Sequence, residues 1–382
     1  MPSESQGFST PAEFIRAELD RRELTQRDLA FALGVAEQYV NQIAVGKRGV
    51  SAEMAKALAE VFGVTPEYVL GLQKAAEAAT ELARARPPDP GIARRAKLVF
   101  SYPLREMIKR GWIDTDDITD GAKVEEAVAR FFGASSVEEI ATLPHASKQT
   151  DIGGGTTPTQ LAWLYRVKQI AAEMVVGKYS PSSVRDAIGR LHSLLLSAEE
   201  ARKVPRVLAE GGIRFVIVEL LPGAKIDGVC FWLNDFSPVV GLSMRHDRID
   251  NFWFVLRHEL EHVLRGHGRG GAMLDTELEG DRAGTGPTVA DEERLANEAA
   301  SDFCVSKGAL DRFVARKAPF FAERDILGFA RTLRIHPGLV AGQLQHRIGR
   351  YDRFRNHLVK IRSMVTPGAM VDGWGNVAPV GM

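Results

Sequence analysis

The chain is predicted to be α+β and mostly helical: an all-α N-terminal domain, a helical region, and a helical core built on a small sheet. Three observations predict this. Short amphipathic segments separated by glycine stops fill the first seventy residues. Three apolar runs of β character lie between Ile213 and Met244. Directly after them, an amphipathic segment carries His258, Glu259 and His262 in the spacing H-E-x-x-H. The domains are set at 8–74, 75–157, 158–350 and a C-terminal tail at 351–382.

At the N-terminus, PAEFIRAELDRREL forms an amphipathic first helix. Thr25 is an N-cap for QRDLAFAL, which Gly34 stops, because glycine takes the left-handed conformation that ends helices. After Val35 and Ala36, EQYVNQIAVGKR forms another helix ending at Gly46. Two helices joined by a tight turn containing glycine are the helix-turn-helix arrangement, whose second helix enters the DNA major groove. Glu37, Gln38, Tyr39, Asn41 and Gln42 form its outward set, and Val40 and Ile43 face inward. Gln and Asn side chains suit adenine edges. Gln26, Lys47 and Arg48 are placed for phosphates, contacts that position the domain without specifying sequence. The order TQRDLAFALGV to VNQIAVGKR resembles lambda-repressor-like (Xre-type) DNA-binding domains, and VSAEMAKALAEVFGVTPEYVLGLQ is similar to HigA-type antitoxins. The resemblance implies an operator-binding domain acting as a homodimer.

The middle of the chain says less. Lys74–Arg86 extends a helix, and PPDPG (87–91) reads as a hinge. Lys97–Leu143 has helical patterning with short turns. DIGGGTTPT (151–159) is read as a linker, because no strand precedes it and it has no P-loop lysine. Helices resume in QLAWLYRVKQIAAEMV and SSVRDAIGRLHSLLL. The strands IRFVIVEL, VCFWL and PVVGLSM follow.

Residues four apart stand on one face of a helix, so His258 and His262 can offer imidazole nitrogens to one Zn²⁺, with Glu259 beside them as general base. A catalytic site usually needs a third protein ligand. His267 falls just past the helix end and reads as a surface or C-terminal dipole residue. Beyond an acidic loop (Asp275–Asp291), Glu293, Ala296, Asn297 and Ala300 share one face of a second helix, whose alanines permit close approach. Glu298 competes with Glu293. It lies on a different face, and NEAASD resembles the Asn-Glu-x-x-Ser-Asp element of thermolysin-like peptidases. The residues alone leave that choice open.

The run from Asp227 to Ser306 resembles the ImmA/IrrE family of metallopeptidases, through DGVCFWLNDFSPVVGLS, RIDNFWFVLRHELEHVL and ERLANEAA. The resemblance implies a zincin-like core, zinc ligands at His258, His262 and Glu293, Glu259 as the base, and a repressor or antitoxin as the protein substrate. The chain departs from the family in the later part of the second helix, where Ala299 and FCVS (303–306) replace a Phe and a Leu-x-x-Pro ending. His336, in RIHPGLVAGQLQ, is a candidate for stabilising an oxyanion.

Lysine plus arginine and aspartate plus glutamate each total 49, so net charge is zero. DNA affinity must therefore come from local charge such as Arg21, Arg22, Arg27, Lys47 and Arg48. Two cysteines, Cys230 and Cys304, exclude a disulfide framework and read as buried small residues. With no apolar run of membrane-spanning length, the expected setting is the cytoplasm. The sequence thus predicts a DNA-binding regulator carrying a zinc-dependent endopeptidase. The alternative is an antitoxin-like transcription factor whose metallopeptidase fold senses or binds without proteolysis.

Overall fold

The computed structural model describes residues 7–87, 89, 91–115, 120–140, 156–276 and 291–380. The chain divides into two compact units, Met1–Asp89 and Pro90–Met382. The expected hinge at 87–91 spans that division.

The first unit is five helices: α1 (Pro11–Arg21), α2 (Gln26–Leu33), α3 (Glu37–Ala44), α4 (Ala52–Phe62) and α5 (Pro66–Arg84). Local chemistry sets the bounds of α2. Thr25 accepts from the Asp28 N–H, Asp28 returns the bond to the Thr25 N–H, and Gly34 closes the helix at φ 65°. Leu29, Ala30, Val40, Ile43, Leu58 and Phe62 are buried in one core with Phe14 and Ile15. Lys74–Arg86 proves to be the continuation of α5 as far as Arg84.

The second unit opens with α6 (Gly91–Ser101), α7 (Leu104–Lys109), α8 (Gly121–Phe132) and α9 (Val137–Ile140). Then come α10 (Pro158–Glu173), α11 (Pro181–His192) and α12 (Val204–Glu210). Strands β1 (Arg214–Val218), β2 (Ile226–Trp232) and β3 (Pro238–Leu242) lead into α13 (Ile249–Arg265) and β4 (Met273–Thr276). Helices α14 (Asp291–Cys304), α15 (Lys307–Lys317), α16 (Glu323–Leu333), α17 (Pro337–Ile348) and α18 (Arg362–Val365) precede β5 (Met370–Asp372). The five-stranded sheet has the order β4-β2-β3-β1-β5. Strand β1 runs parallel to β3 and β5, and β2 runs antiparallel to β3 and β4.

Helices cover both faces of this sheet. Phe215, Ile217, Cys230, Trp232, Val240 and Leu242 point into one core with α11–α17. Val216, Val218, Val229, Phe231 and Val239 point into the other, with α6–α10. Burial on both sides explains why the strands read as unbroken apolar runs. It also means that the helices of 91–140 belong to the core of this unit and do not stand apart as a linker. Residues 141–155, including most of the glycine-rich DIGGGTTPT, lie outside the described residues. Thr157 caps α10.

The segment set apart as a C-terminal tail, 351–382, is a correction, because it contributes a strand to the core sheet. Strand β5 joins the sheet beside β1, and fully buried Asp372 accepts from Arg166 (2.6 Å) and from the Trp112 indole N–H (2.7 Å). Such partners offset the cost of burying a carboxylate, and this one ties the C-terminal strand to α10. No sequence period predicts a three-residue edge strand.

The pair α16–α17 repeats the turn of α2–α3. Arg334 takes the left-handed conformation at φ 58°, as Gly34 does at φ 65°, and in each case the next helix begins three residues later. The second helix of this later pair is not free to read DNA, because Gly338, Leu339, Val340 and Ala341 at its start are buried.

Candidate metal centre and nucleic-acid interface

Helix α13 is packed on nearly all sides, so His258, Glu259 and His262 are all fully buried. The i, i+4 spacing brings the two histidines together edge-on, with their Nε2 atoms 3.0 Å apart. Helix α14 runs along α13, and Ala296 and Ala300, both fully buried, allow the approach the sequence anticipated. Glu293 lies across the gap, with Oε2 3.3 Å from His258 Nε2 and Oε1 3.6 Å from His262 Nε2. The exposed competitor Glu298 instead pairs with Arg294 on the outer face, at 3.2 Å.

Sequence reading missed a fourth member. The sequence places Asp275 at the start of an acidic loop, yet it sits on β4 with Oδ2 3.4 Å from His258 Nε2. Its signal was weak, because MLDT is too short for a strand period. Residues 277–290, the remainder of that loop, lie outside the described residues. His258, His262, Asp275 and Glu293 form a possible metal-binding group, with one donor atom from each lying within 4.8 Å of the others. Two donors on a tetrahedral zinc ion are roughly 3.3 Å apart, so the observed separations suit a single ion.

The outward nitrogens of the histidines are occupied. His258 Nδ1 is 3.0 Å from Asn297 Oδ1, and His262 Nδ1 is 2.9 Å from His267 Nδ1. His267 is therefore part of the site's support. Gly266 and Gly268, at φ 72° and 78°, turn the chain back at this point. The Trp232 indole N–H then donates to the His267 carbonyl at 2.8 Å. Such outer partners fix the ring tautomer and aim Nε2 at the cluster.

The charge of the cluster favours a cation. Among the described residues, both Glu259 oxygens, Asp275 Oδ2 and Glu293 Oε1 are buried without a hydrogen-bond partner, a costly condition for acidic groups. Burial, then the negative charges of Asp275, Glu293 and Asp227, raises Glu259 well above the ordinary carboxylate range. Burial disfavours charge on His258, but Asp275 and Glu293 outweigh it and raise this histidine to about 9. Burial, helped by the neighbouring His258 charge, lowers His262 to about 4 despite the opposing Asp275. In the metal-free protein a proton on His258 supplies the positive charge. A divalent ion fits the same donors and satisfies more of the carboxylates.

Glu259 owes its space to Gly228 of β2. A methyl group there would collide with Glu259 Oε1 and lie 2.9 Å from the Val255 side chain. His336 is corrected from the oxyanion role: its Nδ1 accepts from the Gly338 N–H at 3.0 Å, so the ring serves as the N-cap of α17. Cys230 and Cys304 are buried free thiols, both pushed up by burial.

In the first unit, Glu37, Gln38, Asn41, Lys47 and Arg48 are exposed, while Gln26, Tyr39 and Gln42 are half-buried. The Asn41 amide donates to Gln26 Oε1 at 3.0 Å, joining α3 to α2 and leaving the Gln26 nitrogen as the donor a phosphate needs. The Arg48 guanidinium stacks 4.2 Å above the Tyr39 ring, which holds both in place. Arg21 and Arg22 are spent within the fold on buried Glu18, and Arg22 also donates to the Val61 and Phe62 carbonyls at the end of α4. Among the described residues, no helix is long and apolar enough to cross a membrane.

A search of curated proteins finds no match to the chain. A family model described as helix-turn-helix matches residues 15–69, which agrees with the α2–α3 geometry and points to a DNA-binding transcription regulator.

Proposed function

We propose that the chain is a DNA-binding transcription regulator whose second unit is a zinc-dependent endopeptidase acting on a regulator protein, a repressor or an antitoxin. The observation that carries the enzymatic part is Glu259: a fully buried carboxylate with neither oxygen hydrogen-bonded, beside two histidines and Glu293. A purely structural glutamate in such a place would be paired.

His258, His262 and Glu293 would hold the ion, the zincin-like arrangement expected from the sequence. When bound, zinc acidifies water and polarises a carbonyl. Glu259 takes a proton at its carboxylate and returns it to the leaving amine. Asn297 and His267 orient the two imidazoles, and Gly228 leaves the carboxylate room. In the first unit, α3 would read an operator through Gln38 and Asn41 while Lys47 and Arg48 hold phosphates.

The test of the enzymatic part is Glu259→Gln, assayed against a panel of repressor and antitoxin proteins alongside the parent chain. Proteolysis lost with metal retained is the expected result. One observation favours a second reading, a metal-responsive regulator without proteolysis: Asp275 gives the cluster four donors, the number found in closed structural sites. On that reading, neither the parent chain nor any Asp275 variant hydrolyses peptide.

A further inference from the structure

Resting on the peptidase reading of this centre, we infer that Asp275 is a fourth protein ligand that closes it, so that the chain is held latent until this carboxylate withdraws. Asp275 and Glu293 are nearly equivalent by distance: their nearest oxygens lie 3.4 and 3.3 Å from His258 Nε2. Asp275 is more buried than Glu293, with side-chain exposures of 7% and 16%. The Asp275 Oδ2 atom faces His258 Nε2 at 3.4 Å, as the Glu293 carboxylate does at 3.3 Å, and makes no hydrogen bond of its own among the described residues, so it is left directed at the same centre as the other donors. A hydrolytic centre keeps one position free of protein ligands, and a structural centre fills all four. With Asp275 in place the donor set is of the second kind, yet Glu259, a base with no use in a structural centre, stands beside it.

The strand that carries Asp275 gives the closure its meaning. Among the described residues, strand β4 lies at one edge of the sheet and pairs with β2, and that ladder is irregular between Ile226 and Gly228. Gly228 is also the residue that faces Glu259. An edge strand offers free backbone groups, the usual place for an extended peptide to add. The obstruction thus sits on the element an incoming substrate would pair with. A side-chain carboxylate can withdraw by rotation while the backbone ladder stays, so the closure is reversible.

The test uses the full chain loaded with Co²⁺, followed by its visible absorption while acetohydroxamate, a small metal-chelating probe, is titrated in. The parent chain is expected to show a spectrum that the probe leaves unchanged. Asp275→Asn, which keeps the side-chain volume, and Asp275→Ala should both respond to the probe. Both should also bind Co²⁺ more weakly, by roughly ten-fold or more. Faster peptide hydrolysis by these variants than by the parent would support the latent state. A parent spectrum that responds to the probe as the variants do would overturn the closure while leaving the metal centre intact. A chain that binds no cobalt would overturn the metal-centre reading itself, a separate result.

Discussion

The Nδ1 atom of His258 lies 3.0 Å from Oδ1 of Asn297, across the gap between α13 and α14. An amide oxygen can only accept, so this contact keeps a proton on His258 Nδ1 whether or not the ring is charged, and Nε2 is directed at His262, Asp275 and Glu293. Asn297→Ala should therefore weaken metal binding roughly 10–100-fold while the fold persists. Competition against a fluorescent chelator measures it; unchanged affinity would remove Asn297 from the support of the centre.

Glu259 and Gly228 give a paired prediction. Glu259→Gln should keep the metal and, compared in the Asp275→Asn background that opens the centre, lower proteolysis by roughly 10²–10⁴-fold, the range for loss of a general base. Gly228→Ala should also depress turnover with metal retained, because the added methyl displaces the Glu259 carboxylate. Full activity in Gly228→Ala would show that the base does not need its present position.

Recognition by α3 separates into reading and positioning. Gln38→Ala should cost about 1–3 kcal/mol on the cognate operator and little on random DNA. Lys47→Ala should weaken both alike and reduce the salt slope by about one. Binding isotherms at several salt concentrations check both; equal losses for Gln38→Ala on both DNAs would exclude base reading there.

Glu18 predicts how the first unit responds to acid. Burial alone would raise its pKa, but hydrogen bonds from Arg21 and Arg22 overcome this and lower it. A carboxyl with a lowered folded pKa stabilises fully above its unfolded value of about 4.3 and loses that contribution as pH falls through the folded one. The protection factors of the α1 and α4 amides in the full chain, corrected for the intrinsic exchange rate, should fall across that acidic window. Glu18→Gln should remove most of the pH dependence and cost about 1 kcal/mol at neutral pH. A variant with the parent's pH profile would contradict the assignment.

Much of this was legible because local chemistry wrote it. The α2 capping box, the left-handed Gly34 and the alternating burial of α3 follow from residues within twenty positions of each other. The His258–His262 pair needed only the helical repeat, and the choice of Glu293 over Glu298 came from the family resemblance, with Ala296 and Ala300 marking the approach. Asp275 and His267 were misplaced for a common reason: each reaches the centre through a turn or a short strand whose course depends on distant partners. Trp232 pins His267, and β2 holds Asp275. The same holds for β5, fixed by Arg166 and Trp112 far back in the chain. His336 looked chemical in sequence, but its place before a proline made it a helix cap.

The most direct test of the central claim is metal content per chain of the purified protein supplied with zinc, beside Glu293→Ala and Glu298→Ala. The account predicts about one ion per chain, lost or sharply reduced in Glu293→Ala and unchanged in Glu298→Ala, whose parent residue lies exposed beside Arg294. A parent chain that retains no ion, or one whose ion survives Glu293→Ala but not Glu298→Ala, would contradict it.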